Sequence, residues 1–196
     1  MPWVNFPHYL TNPQAERLAA EFAQYESANY YTRLRADELL QGDGWSGLDI
    51  VDVRNGNRSR VRGITLSNSC DIDRNNRRAM PPHVVFAPLI KLQSFKERLT
   101  AAGLAADKID DKISAIRKQH ITSVFYLPMG ANLAEDHIAL LDDLHTVPLE
   151  MFLNADQPKL FTLSQIGFYL FIIKLSIHFC RFSEGIYRDQ PLTTGR

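Results

Sequence analysis

Residues 48–92 begin Leu48-Asp-Ile-Val-Asp-Val53, followed by a turn at Asn55-Gly56-Asn57. Next come Arg60-Val-Arg-Gly-Ile-Thr-Leu-Ser-Asn-Ser-Cys70-Asp-Ile72, an arginine-rich loop, and His83-Val-Val-Phe-Ala-Pro-Leu-Ile-Lys-Leu92. Three β-rich runs separated by polar turns bearing glycine and asparagine predict a strongly bent antiparallel sheet or small barrel. The polar loop Asp73-Arg-Asn-Asn-Arg-Arg-Ala-Met-Pro-Pro82 must be irregular, because tandem proline cannot continue a strand ladder.

Around this stretch the chain divides into helices before, between and after strands. Thr11-Asn12-Pro13 opens a helix with a capping side chain and proline at the first helical position, and Leu18, Phe22 and Tyr25 recur at helical spacing. Residues 11–41 therefore read as an N-terminal helical region, with a second helical stretch over 31–40 that stops at the glycines of Gly42-Asp-Gly-Trp-Ser-Gly47. Ser94 and Glu97 form a capping-box pattern. Ile109, Ile113 and Ile116 make a narrow apolar stripe, so residues 94–119 predict a helical insertion. Residues 121–128 and 137–152 supply the remaining strands of a barrel spanning 48–161. Thr162 and Gln165 carry capping-box spacing ahead of a helix over 162–182 that is apolar almost all round, as a buried helix is. The whole, residues 1–196, reads as one α+β domain.

Composition narrows the function classes. Hydrophobic content of 45% and charged content of 22% are those of a soluble globular protein. The formal net charge of +0 conceals a split: seven arginines face two aspartates over 54–78, while 131–158 holds six acids and no lysine or arginine. Such a split builds a basic face for a polyanion, or else two segments that neutralise each other on packing. Two distant cysteines, Cys70 and Cys180, argue against a disulfide scaffold and for a reducing, cytoplasmic setting. The first eight residues lack the basic start and apolar run of a signal peptide. Lys174, His178 and Arg181 interrupt the one segment apolar enough to suggest a membrane, so no membrane partner is expected.

The order glycine, Asp-Ile-Val, hairpin, Arg62-Gly-Ile-Thr-Leu-Ser67-Asn68, then Val-Val-Phe-Ala-Pro88 resembles the core of the MazF/PemK family of toxin-like SH3-type barrels. The Ser-x-x-Cys-Asp strand end also resembles that of uncharacterised bacterial proteins. The resemblance covers about a quarter of the chain and implies an SH3-like barrel in a toxin-antitoxin or defence setting; the runs along the chain lead us to expect five to seven strands in the bent sheet or barrel. In that family the arginine corresponding to Arg62 works with a serine or threonine after a later proline to cleave single-stranded RNA. Here Pro88 is followed by Leu89-Ile90-Lys91, so the cleavage step lacks its hydroxyl residue.

Three functional readings stay open. In the first, Arg58, Arg60, Arg62, Arg74, Arg77 and Arg78 contact nucleic-acid phosphates, with Lys174 and Arg181 as further anion contacts. Lys174, His178 and Arg181 fall at i, i+4 and i+7, one face of the last helix. In the second, Cys70 is a nucleophile of a hydrolase-type centre with Asp71 and His178, arginines favouring its thiolate. The bland alternative is a small buried cysteine, with Asp71 closing an Asx turn. The third reading is a non-enzymatic subunit that binds a protein partner or a second copy through an exposed apolar C-terminal helix. No cofactor is called for. His178 and Cys180 project to different sides of a helix and make a poor zinc pair, and no glycine loop has the lysine and helix start of a phosphate cradle. Trp45 reads as a base-stacking residue or as a buried anchor.

Overall fold

The computed structural model describes residues 30–180 apart from Val53, Arg77, Ala155 and Asp156. The described residues form an α+β fold of eight strands and four helices. The strands are β1 (Tyr31–Thr32), β2 (Gly44–Val51), β3 (Arg58–Thr65), β4 (His83–Lys91), β5 (Val124–Leu127), β6 (His137–Leu140), β7 (His145–Pro148) and β8 (Lys159–Leu163). The helices are α1 (Leu92–Ala101), α2 (Ala106–Arg117), α3 (Leu149–Asn154) and α4 (Gln165–Phe179). One antiparallel sheet runs in the order β1-β8-β2-β3-β4-β6-β5, and it curls into a half-barrel.

The central three strands follow the expected pattern. Asp52 organises the β2–β3 turn: its carbonyl accepts from the backbone N–H groups of Asn55 and Gly56, and its carboxylate accepts from Arg54. The chain then returns with Leu48 opposite Val61 and Val51 opposite Arg58. β4 is the spine of the bend. Its first half pairs with β7, His83 opposite Pro148, and its second half with β6, Leu89 opposite Ala139. Two partners in succession along one edge turn the sheet through a corner.

Alternation along these strands sorts side chains into an interior and an outer face. The interior cluster unites Ile64, Ala87, Leu89, Phe125, Leu127, Ala139 and Phe161, and α4 caps it with Phe171. Each large side chain fully buried there contributes about 1.5–3 kcal/mol. Gly44 is small of necessity, since a Cβ at that position would lie 2.2 Å from the Phe161 ring. On the outer face Leu48, Ile72, Val84 and Phe86 pack beneath α3, and α1 with α2 cover Val124 and Ile138.

The sheet's two end strands meet without a backbone ladder. The Tyr31 hydroxyl donates to the carbonyl of Pro128 at 2.7 Å and the Tyr30 hydroxyl to that of Tyr126 at 3.0 Å. Gln119, at φ +59°, occupies the free edge of β5 as a strand would. Its amide accepts from Tyr126 N–H at 3.1 Å and donates to Tyr126 C=O at 2.8 Å. An unpaired strand edge is thereby covered by side chains.

Several expected elements change. Residues 31–40 are not a helix: Tyr31 and Thr32 pair with Leu163 and Thr162, and turns follow with Arg35 at φ +60°, a backbone no helix contains. The strand Lys159–Leu163 replaces the expected start of the last helix, whose cap is Ser164, accepting from Gly167 N–H at 3.2 Å, not Thr162. The insertion begins at Leu92 rather than Ser94, directly off β4, with the Leu92 N–H donating to Asp136 C=O. Residues 137–152 hold β6, β7 and the start of α3. The last helix buries one stripe only, and Tyr169 and Phe179 stand about half exposed at 45% and 51%. The helix expected from Thr11 lies outside the described residues.

Candidate nucleic-acid interface

β3 places Arg58, Arg60, Arg62 and Ile64 on one face, at i, i+2, i+4 and i+6. Ile64 belongs to the interior core; the three arginines continue its line past the core's edge, exposed at one mouth of the half-barrel. Alternate residues of a strand stand about 7 Å apart, so the three arginines leave the strand at even intervals. Arg58 has no polar partner among the described residues, and Arg60 lies 3.5 Å from Asp49 of β2 while remaining 80% exposed.

Arg62 is held differently. Its Nη1 donates to Nε2 of His137 at 3.1 Å, and Nδ1 of the same ring donates to the Glu135 carbonyl at 2.8 Å. A guanidinium cannot accept a hydrogen bond, so Nε2 must carry the lone pair and His137 must be neutral with its proton on Nδ1. Burial explains why: His137 is 1% exposed, and desolvation first, then the neighbouring Arg62, hold its pKa below the ordinary histidine value. The imidazole consumes one of five N–H donors of Arg62 and fixes where the others stand. Lys91, the register partner of His137 across β4 and β6, pairs with Glu135 at 2.6 Å, and this ion pair holds the Glu135 carboxyl below its ordinary range. The mouth therefore carries four cations, Arg58, Arg60, Arg62 and Lys91, against Asp49 and Glu135.

The other arginines of the basic segment are elsewhere. Ile72 packs on the outer face of the sheet, and this carries the 68–78 loop to the side opposite the β3 row. Arg74 lines a recess there, Arg78 is ion-paired with Asp71, and Arg77 lies outside the described residues. The described arginines of this segment thus do not make one continuous face.

The structure does not join the residues of the cysteine-centred reading. Cys70 is exposed and lines the outer recess; Asp71 is engaged by Arg78; His178 sits on α4, edge-to-face with Phe179 at 4.5 Å, and does not line that recess. The Asx turns of the loop belong to Asn68 and Asp73, which accept from Cys70 N–H and Asn75 N–H, rather than to Asp71. Lys174 turns inward, 4% exposed, and its ammonium donates to the carbonyls of Gln119 and Ile121. Burial lowers its pKa to about 8, and two of its three donors are spent on backbone, which makes it an anchor of α4 rather than an anion contact. Arg181 lies outside the described residues. Among the described residues no cluster of three His, Cys, Asp or Glu could hold a metal ion, and no helix is long and apolar enough to cross a membrane.

Sequence reasoning missed His137, Lys91 and Glu135 as members of the site. The available signal was a histidine two residues before Ala139 on the core-facing register of an apolar strand, a position that demands a polar partner. No protein-family model matches this sequence, and no curated protein matches it.

Proposed function

We propose that this protein is a nucleic-acid-binding module built on an SH3-like half-barrel, with single-stranded RNA or DNA lying across the mouth. The observation that carries the reading is the row of Arg58, Arg60 and Arg62 on one face of β3, extended by Lys91. Arginines at even intervals along one strand face suit successive phosphates of an extended strand, and Arg62 is pre-oriented by His137, which lowers the entropy lost on contact. This agrees with the toxin-like, defence-associated class that the MazF/PemK resemblance implies, in which an arginine at this point of the strand faces RNA. The hydroxyl residue expected after Pro88 is absent, so the reading is one of binding.

Fluorescence anisotropy with an unstructured oligonucleotide across a salt series tests it. Wild-type protein should bind at low salt, with log K falling linearly against log salt. Each of Arg58→Ala and Arg60→Ala should reduce the slope by about 0.7 for a single strand. Absence of binding at low salt to both RNA and DNA, or a slope unchanged in the double variant, refutes the proposal. A gel of the same reactions scores cleavage separately.

A further inference from the structure

The outward side of α4 is too apolar for a helix surface that faces water. The lysine of this helix, Lys174, points inward, so from Gln165 to Phe179 that side carries no lysine, arginine or carboxylate. Tyr169, Ile172, Ser176 and Phe179 follow one another at spacings of three, four and three, which sets them in one line along it. Tyr169 and Phe179 are exposed and Ile172 is half-buried. A helix side open to water is ordinarily polar, and a contiguous apolar line on it marks a surface that another element covers.

The chain enters the described fold beside this helix. The Ser164 N–H, at the α4 cap, donates to the Tyr30 carbonyl at 3.0 Å, and a Cβ on Gly167 would lie 2.5 Å from that same oxygen. Whatever precedes Tyr30 is therefore tethered to the first turn of α4. In the sequence over 13–25, Ala15, Leu18, Phe22 and Tyr25 repeat the spacing of three, four and three, with Glu16, Ala20 and Gln24 on the opposite side. A helix over 13–25 would measure about 20 Å, against about 22 Å for α4. Residues 26–29 reach about 13 Å when extended, enough to round the end of a helix about 10 Å across. So short a tether presents the segment at an effective concentration on the order of millimolar, which a second copy in dilute solution does not match. Residues 181–196 offer no such partner, because Gly185 and Pro191 interrupt them.

We propose that residues 13–25 form a helix that docks antiparallel along the outward line of α4. The tether sets its direction, since the end that joins Tyr30 must lie at the start of α4 and the far end beside Phe179. In that register Leu18 meets Ser176 and Ala15 meets Phe179, so large side chains face small ones, while Phe22 and Tyr25 cover Ile172 and Tyr169. Two helices with matching stripes of residues three and four apart pack in this way. The contact rests on neither the arginine row nor nucleic-acid binding.

The test is paramagnetic broadening in the full chain. A nitroxide is placed on Cys180, the exposed residue that ends α4, in a Cys70→Ser background. Amide signals of Gln14, Ala15 and Glu16 should broaden most, and those of Gln24 and Tyr25 least. Phe22→Asp should abolish this gradient and speed trypsin cleavage after Arg17 at least about tenfold. Ala20→Asp puts the same group on the opposite side of the helix; it should leave the gradient in place and change cleavage about threefold at most. An absent or reversed gradient overturns the proposal, as does an equal response to the two aspartates. In a mixture of nitroxide-bearing and isotope-labelled chains, broadening that passes between molecules would put a second copy on α4, and that result overturns it as well.

Discussion

Arg62 and His137, 75 residues apart in the chain, are joined by a single hydrogen bond in which the guanidinium donates to a buried imidazole at 3.1 Å. That bond exists only while His137 is neutral. The groups facing the ring are Arg62 on β3, Lys91 on β4 and the Glu135 carbonyl and carboxylate ahead of β6, with the carboxylate neutralised by Lys91. Protonation would put two donors nose to nose at the half-barrel's mouth.

The pH dependence of stability follows from that arrangement. The folded-state pKa of His137 lies below its unfolded value near 6.5, so between the two the unfolded chain binds a proton that the folded chain does not. This contribution is fully present above about pH 6.5 and is lost as pH falls through that window. His137→Gln removes the titration while keeping a polar side chain. The stability of wild type relative to this variant, from urea unfolding at pH 7.5, 6.5 and 5.5, should decline at each step. A difference that stays constant or grows toward low pH would show that the imidazole is not held neutral.

A second expectation concerns how the sheet closes. Tyr31 is a described polar partner of the Pro128 carbonyl, whereas the Tyr126 carbonyl receives both the Tyr30 hydroxyl and the Gln119 amide. Removing the Tyr31 hydroxyl therefore strands the Pro128 acceptor, while removing that of Tyr30, which also accepts from the Gln119 amide at 3.1 Å, leaves Tyr126 paired but strands a Gln119 N–H. Tyr31→Phe and Tyr30→Phe should each cost about 1–2 kcal/mol, measured by chemical unfolding. A cost near zero for either would mean that its hydroxyl does not hold the junction.

The parts legible in the sequence were those whose partners are close in the chain. β2, β3 and β4 declare themselves by their turns and by alternation, with Arg58, Arg60 and Arg62 set against Val61 and Gly63 on the opposite face. β8 did not, because Leu160, Phe161, Thr162 and Leu163 are all buried; lying between β1 and β2 with both faces covered, it shows no alternation and reads as the approach to a helix. Tyr31 was misread for a related reason. Its extended backbone is imposed by pairing with β8 and by a hydrogen bond to Pro128, 97 residues away, and local propensity holds no trace of either. The arginine row was visible at the candidate site, but not its division from Arg74 and Arg78, which depends on Ile72 drawing the loop to the outer face.

Lys174 gives the last prediction, and its sign is opposite to that of a surface lysine in an ion pair. Burial lowers its pKa from 10.5 to about 8, so between these values the unfolded chain holds a proton that the folded chain has released. Stability from this group therefore rises with pH across the window. Lys174→Met removes the titration, and the loss of its bonds to Gln119 and Ile121 is an offset that does not vary with pH. Wild-type stability measured against that variant should climb by about 2 kcal/mol from pH 7.5 to 9.5. The window closes near the unfolded value of 10.5, while the phenols of Tyr30, Tyr31 and Tyr126, raised by burial, the last to about 12, are common to both proteins and cancel in the comparison. Guanidinium unfolding of both proteins at pH 7.5, 8.5 and 9.5 makes the comparison. A flat difference would show that Lys174 keeps its charge inside the fold, its two backbone carbonyls offsetting the lost hydration.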